Sequence, residues 1–228
     1  MGIHDGHRER LRQRFTEHGL ENFNEVNALE LLLFYAIPRR DTNEIAHALL
    51  DRFGSLSAVF EAGVQELRDV PGVGESTAVL ISLIPQIMRK ALILKESGRG
   101  AILSSTDAGD YLVPRFMYMT EEHILLLCLN SKKQINACID VGSGVVNASE
   151  TSTRKIVETA LKYRASSVIL AHNHPDGFAI PSREDDMVTK QVCSSLELVG
   201  IQLIDHIIVS GEDYVSYADS GLIGRCKY

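Results

Sequence analysis

The stretch Ile169-Leu170-Ala171-His172-Asn173-His174-Pro175-Asp176-Gly177, followed by Pro181-Ser182-Arg183-Glu184-Asp185, decides how this chain is read. An apolar run ends in two histidines at i and i+2, which on a strand project towards the same side. Pro175-Asp176-Gly177 turns the chain away. Ser182 then reads as the N-cap of a helix, and Asp185 falls in its first turn, within reach of the imidazoles. The pattern is His-x-His-x7-Ser-x2-Asp. Two imidazoles and one carboxylate leave the fourth tetrahedral position of zinc open, as catalytic sites do. Zinc lowers the pKa of a bound water to about 7. His172, His174 and Asp185 are therefore the candidate ligands of one Zn2+ per chain, with water as the fourth ligand. The plainer alternative is a pair of core histidines, with Asp185 only opposing the helix dipole. Alternation, turn and spacing together favour the metal. Glu184 and Asp186 read as solvated helix face. His-Asn-His also spells the name of a nuclease class, but that class needs separated ligands on a ββα hairpin.

Outward from this stretch the pattern is strands with interspersed helices. His123–Leu129 is a continuous apolar run, read as a buried strand, and Gln134–Val141 is a second. Thr153–Ala165 is an amphipathic helix, Ser166–Ala171 a strand and Ser182–Leu198 a helix. Ile201–Ser210 and Tyr214–Ala218 complete the strands, and Thr106–Pro114 fits a helix. Residues 101–228 thus form an α/β or α+β domain. Asp205 and His206 sit on one strand, where either could orient a ligand imidazole or form a buried, satisfied pair.

Residues 1–98 read as all helical. Val26–Ala36 is densely apolar, and Thr42 or Asn43 caps Ile45–Phe53. Gly54-Ser55 stops that helix and starts a short one. Val64–Val70 and Glu75–Ser97 follow, with a kink or break expected at Pro85. Gly98-Arg99-Gly100 is the expected linker. Between residues 67 and 78, a Pro-Gly-Val-Gly turn joins two helical stretches. Glycines there free the backbone, and the next helix opens with unpaired amides that favour an anion such as a DNA phosphate. Gly72, Gly74, Ser76 and Thr77 are the candidate phosphate contacts.

The chain of 228 residues is 45% hydrophobic and 23% charged, which excludes a mostly disordered protein. Its net charge of −7 excludes a uniformly basic, DNA-coating protein but not a local contact. Up to Gly100 there are 12 basic against 14 acidic residues; the remainder holds 11 against 16. The acidity therefore sits mainly on the metal-site half. Arg8, Arg10, Arg12 and Arg14 make a weak basic patch. The four cysteines lack CxxC spacing, which argues against a disulfide scaffold or zinc knuckle. No secretory signal is evident, and Arg89 and Lys90 interrupt Ala78–Leu94 as a bilayer span. A cytoplasmic protein without a membrane partner is expected.

These motifs resemble the RadC family, historically labelled DNA repair proteins, along essentially the whole chain. The likeness is carried by Arg8-Glu9-Arg10-Leu11, Arg52-Phe53-Gly54-Ser55-Leu56, the Val-Pro-Gly-Val-Gly turn, both metal-site segments and Leu203-Ile204-Asp205-His206-Ile207-Ile208-Val209. The turn resembles a helix-hairpin-helix, whose family role is sequence-independent DNA backbone binding. The second half resembles the JAB/MPN domain, cytidine-deaminase-like in fold, with a JAMM zinc signature. The resemblance implies a zinc metallopeptidase acting on a protein or peptide substrate. His172, His174 and Asp185 would hold the zinc, and Ser182 would stabilise the oxyanion. It also implies a general-base glutamate on an upstream strand. Position 139 is Ile, which leaves Asp140 and Glu150 as possible general bases. A bulge would be needed to bring Asp140 to the metal face. Two alternatives follow: a catalytically impaired accessory protein of DNA metabolism, or a metal-dependent nuclease.

Overall fold

Leu29, Leu33, Ile45, Ala46, Leu49, Val59, Leu67, Ala78 and Ile81 are buried together and hold one of the two compact units, Met1–Met88. The computed structural model describes residues 3–96, 100–143, 150–175 and 177–224. The first unit contains α1 (Ile3–His18), α2 (Glu25–Ala36), α3 (Asn43–Phe53), α4 (Leu56–Glu61), α5 (Val64–Arg68) and the start of α6 (Glu75–Glu96). Local chemistry sets the ends. Asn24 caps α2 by accepting the Asn27 amide, and Ser55 caps α4 by accepting that of Ala58. α3 ends at Gly54 in the left-handed region. Neither expected cap of α3 acts through its side chain. Asn43 is already helical and Thr42 makes no capping bond, whereas the Asp41 carboxylate accepts the Asn43 amide at 2.9 Å.

Of the kink or break expected at Pro85, the break does not occur: α6 runs on through it. Proline there removes one backbone bond, but the helix packs Ala78, Ile81 and Pro85 inward, and that burial sustains it. Over Glu75–Lys95 it is also, among the described residues, the one helix long and apolar enough to cross a membrane. The division between the units falls after Met88, inside α6. Of the expected linker, Gly98 and Arg99 lie outside the described residues.

Between α5 and α6 the chain turns at Gly72, whose φ of 92° is left-handed. A Cβ there would lie 2.9 Å from the Ile45 side chain, so glycine is required for both torsion and space. Gly74 and Ser76 are exposed. Thr77, expected as a phosphate-contacting hydroxyl, is instead buried with Ala78 against the helical core, because the phase of α6 turns it inward.

The second unit, Arg89–Tyr228, contains α7 (Ser105–Phe116), β1 (His123–Leu129), β2 (Ile135–Ser143), α8 (Glu150–Lys162), β3 (Ser167–Asn173), α9 (Arg183–Glu197), β4 (Gln202–Ser210) and β5 (Asp213–Ser216). The strands form one sheet in the order β2-β1-β3-β4-β5. All pairs are antiparallel except β3 and β4, which are parallel and joined through α9. This is a mixed α/β architecture, with the sheet covered on both faces. α8 and α9 pack on one face through Ile156, Ala160, Val188, Val192 and Leu196, against Leu126, Leu170 and Leu203. α7 packs on the other through Ala108, Leu112 and Phe116, against Leu127, Ile169 and Ile207. Such two-sided burial explains why β1 and β3 read as continuous apolar runs. α7 approaches β5 closely: a Cβ on Gly109 would lie 2.4 Å from the Tyr214 ring.

Candidate metal centre

The end of β3 and the start of α9 meet on the face covered by α8 and α9. His172 lies in line with Leu170, which packs into that face, and alternation sends its imidazole the same way. His174 follows at the strand end. Its Nδ1 lies 3.0 Å from the Phe178 carbonyl oxygen. A carbonyl can only accept, so Nδ1 carries the proton and Nε2 presents its lone pair.

Asp185 is aimed by the helix start that the sequence anticipated. The Ser182 amide donates to Asp185 Oδ2 at 2.8 Å, and Ser182 Oγ accepts the Asp185 amide at 3.1 Å. This is a reciprocal capping box. Burial alone would raise the Asp185 carboxyl. The contact with His172 and the Ser182 hydrogen bonds outweigh it and hold the group well below the usual carboxylate range.

The three side chains converge. His172 Nε2 lies 2.9 Å from His174 Nε2 and 3.0 Å from Asp185 Oδ1, and His174 Nε2 lies 3.6 Å from Asp185 Oδ2. His172 and Asp185 are buried, and His174 is half-buried. Taking one donor atom from each residue, all three lie within 4.8 Å of one another, against about 3.3 Å between ligands of a tetrahedral zinc ion. The donor set also has the right chemistry. Two imidazole nitrogens and a carboxylate oxygen converging in this way could hold one cation. Among the described residues, no other group of histidines, cysteines and carboxylates meets in this way.

Of the candidate general bases, Asp140 is not brought here. Asp140 Oδ2 lies 2.7 Å from His123 Nδ1, and its other oxygen accepts the Gly142 amide at 3.1 Å. β2 does carry an irregularity: Ile124 pairs with Gly142 and Leu125 with Asp140, leaving Val141 as the extra residue. That bulge does not turn Asp140 to the metal face. Its neighbour Ile139 packs there instead, with Ile124, Leu126 and Leu170. The Glu150 side chain lies outside the described residues.

Sequence reasoning left the support around His172 open. His206 Nε2 lies 2.8 Å from His172 Nδ1, and His206 Nδ1 lies 2.6 Å from Thr189 Oγ1. Burial above all, with the His172 imidazole alongside, pushes the His206 pKa well down, so its ring is neutral. A register shift in β4 makes this contact. Val168 pairs with Leu203 but Ile169 with Asp205, so Ile204 is the extra residue. Leu203 and His206, three apart, thereby share one face. Asp205 is the satisfied partner: Oδ1 accepts the amides of His206 and Ala218, and Oδ2 accepts the Ser216 hydroxyl. Asp186, expected to be solvated, is half-buried and accepts the Tyr217 hydroxyl at 3.0 Å. The Tyr217 ring in turn stacks on His206, with centroids 4.9 Å apart. Thr189 carries no signal in the pattern; its position four residues after Asp185, on the same helical face, is the clue available.

Residues 102–222 match the family described as the RadC-like JAB domain. The chain is also similar to a UPF0758 protein of Fusobacterium nucleatum, 34% identical over 228 residues, covering 96% of this chain and 97% of that protein. A UPF0758 protein of Geobacillus is 31% identical over 214 residues, covering 94% of this chain and 95% of that protein. With one half matching the domain and relatives matching nearly end to end, the chain belongs to the RadC family of JAB-domain proteins.

Proposed function

We propose that the second unit is a zinc-dependent hydrolase centre for amide bonds, on a chain whose first unit contacts nucleic-acid backbone. The observation that carries the reading is the convergence of His172, His174 and Asp185, with the His174 tautomer fixed by the Phe178 carbonyl. His172, His174 and Asp185 would hold the ion. A zinc ion so held supplies Lewis acidity and lowers the pKa of water at its open position. Ser182 Oγ accepts the Asp185 amide and keeps its own proton to donate, so it can bond a substrate carbonyl oxygen as negative charge develops there.

A second reading is favoured by Asp140. That carboxylate is engaged by His123, and Ile139 packs on the metal face where the resemblance implies a glutamate. Loss of such a group costs about 10²–10⁴-fold in rate. A slow hydrolase, or a metal-binding accessory of DNA metabolism, fits this arrangement. The buried Cys128 thiol and its half-buried neighbour Cys138, both pushed up by burial to about 11, suit a reducing, cytoplasmic setting.

Nucleic-acid contact is supported by the exposed Gly74 and Ser76 at the opening of α6 and by the exposed Arg40 and Arg68. The hairpin would then act as a helix-hairpin-helix, holding phosphate on backbone amides.

The test is zinc content per chain in the wild type and in His174→Ala, with cleavage of peptide and isopeptide-linked substrates. About one zinc in the wild type and none in the variant supports the metal centre; near-zero content in both overturns it. Zinc without cleavage selects the accessory reading. Binding to duplex DNA that falls with salt and weakens in Arg68→Ala supports the hairpin role, and no binding at low salt removes it.

A further inference from the structure

We infer that Thr189 and His206 are positioning residues that lock the His172 imidazole in the tautomer whose Nε2 lone pair faces the metal position. This inference rests on the metal-centre reading and adds what aims one of its ligands. The chain of contacts begins at a backbone carbonyl. Thr189 Oγ1 lies 2.5 Å from the Asp185 carbonyl oxygen, one turn back in α9. The carbonyl has no proton to give, and two lone-pair oxygens that close would repel, so the hydroxyl gives its own. Its proton spent, Thr189 Oγ1 can only accept from His206 Nδ1, 2.6 Å away. A neutral His206 protonated at Nδ1 has a bare Nε2. That atom must then accept from His172 Nδ1, 2.8 Å away. A neutral His172 protonated at Nδ1 has its lone pair on Nε2, 3.0 Å from Asp185 Oδ1 and 2.9 Å from His174 Nε2.

The relay is sealed. Thr189, His206 and His172 are 0%, 1% and 3% exposed, so water does not compete for these bonds. The Tyr217 ring, itself fully buried, stacks on His206 and fixes its plane. Both ligand imidazoles are thus set by carbonyl oxygens: His174 directly by that of Phe178, and His172 through two side chains by that of Asp185. Asp185 therefore contributes twice, its carboxylate to the metal position and its carbonyl to the partner ligand's tautomer.

The test uses the full-length chain in three forms: wild type, Thr189→Val and Thr189→Ser. Valine keeps the shape and removes the hydroxyl; serine restores it. The first readout needs no metal. Long-range proton–nitrogen couplings of the imidazoles at about pH 8, where histidine is neutral, report each tautomer. His172 and His206 are expected as Nδ1–H in the wild type and the serine variant. In the valine variant His206 loses its acceptor and the His172 signal moves towards Nε2–H. The second readout is zinc affinity by competition with a chromophoric chelator. It is expected to fall 10–100-fold in the valine variant, as for other supporting contacts to metal ligands, and to return to within about threefold in the serine variant. Thermal midpoints show whether valine has merely unfolded the unit; the tautomers, read on folded protein, then decide. His172 found as Nε2–H in the metal-free wild type, or a valine variant with unchanged tautomers and affinity, overturns the relay. A wild type that takes up no zinc overturns the metal reading instead, and the tautomer measurement still decides the relay.

Discussion

Ser182 and Asp185 hold each other at the first turn of α9: the Ser182 amide binds the Asp185 carboxylate at 2.8 Å while the Asp185 amide binds Ser182 Oγ at 3.1 Å. The same carboxylate lies 3.0 Å from His172. Helix start and candidate metal position are thus one construction. Ser182→Ala is expected to cost about 1 kcal/mol through the lost cap and to lower zinc affinity about tenfold or more through a less well aimed carboxylate. Urea unfolding and chelator competition measure the two effects; an unchanged affinity would show that Asp185 needs no cap to be aimed.

Asp140→Asn is expected to leave zinc affinity and any amide hydrolysis within about threefold of wild type, because Asp140 bonds His123 and Gly142 and does not reach the cluster. Its measurement is the hydrolysis rate at saturating zinc. A loss of 10²-fold or more, typical of a general base, would return Asp140 to the mechanism.

Gly72→Ala is expected to destabilise the first unit by about 1–3 kcal/mol, since its φ of 92° is left-handed and a Cβ would meet Ile45 at 2.9 Å. Gly74→Ala, with open space around it, is expected to cost about 1 kcal/mol or less. Thermal melts of the two variants check the contrast. Gly74→Ala is therefore the cleaner probe of phosphate contact, because Gly72→Ala perturbs the fold itself.

Burial raises the Asp205 carboxyl against the opposing hydrogen bonds of Ser216, Ala218 and His206. A folded pKa above the unfolded value of about 3.9 means that the native state binds this proton more tightly. The group's contribution is fully present below the unfolded value and is lost as pH rises through the folded one. In Asp205→Asn, Oδ1 keeps both amides and the new amide can donate to Ser216. Its stability is expected within about 1 kcal/mol of wild type, and relative to wild type it should gain as pH rises. Asp205→Ala strands three donors and is expected to cost about 2–3 kcal/mol. Urea midpoints between about pH 4 and 8 give the curves.

Cys128 is fully buried, and burial pushes its thiol, like that of Cys138, up to about 11. Little thiolate exists near neutral pH, so both are expected to resist alkylation in the native protein and to react within minutes in denaturant. Mass-spectrometric mapping after a timed iodoacetamide pulse reads this. Fast native labelling of Cys128 would mean that the face under α8 and α9 opens readily.

What the sequence made legible was whatever depended on neighbours in the chain. His172 and His174 share a strand end, and Ser182 and Asp185 share a helix turn, so spacing alone pointed to the convergence of the candidate ligands. The caps at Asn24, Ser55 and Gly54 are local in the same sense. What escaped required knowing which strands pair, and in which register. His206 reaches His172 because β4 carries an extra residue at Ile204, which no alternation pattern reveals. Asp186 was read as solvated because its partner Tyr217 lies 31 residues away. Thr77 was read as a surface hydroxyl because its composition is polar, whereas the phase of α6 turns it inward. α6 survives Pro85 through packing that propensity does not count.

The parallel pairing of β3 with β4, alone in the sheet, has one more consequence. It makes the strand–helix–strand crossover from His172 to His206 the source of every side chain in the candidate ligand set and the proposed relay. β1, β2, β5 and the first unit supply none of them. Metal capture should then report on the assembly of this crossover during refolding, before the sheet is complete. A zinc-sensitive dye in a stopped-flow experiment would time the birth of a single supersecondary unit inside a much larger chain.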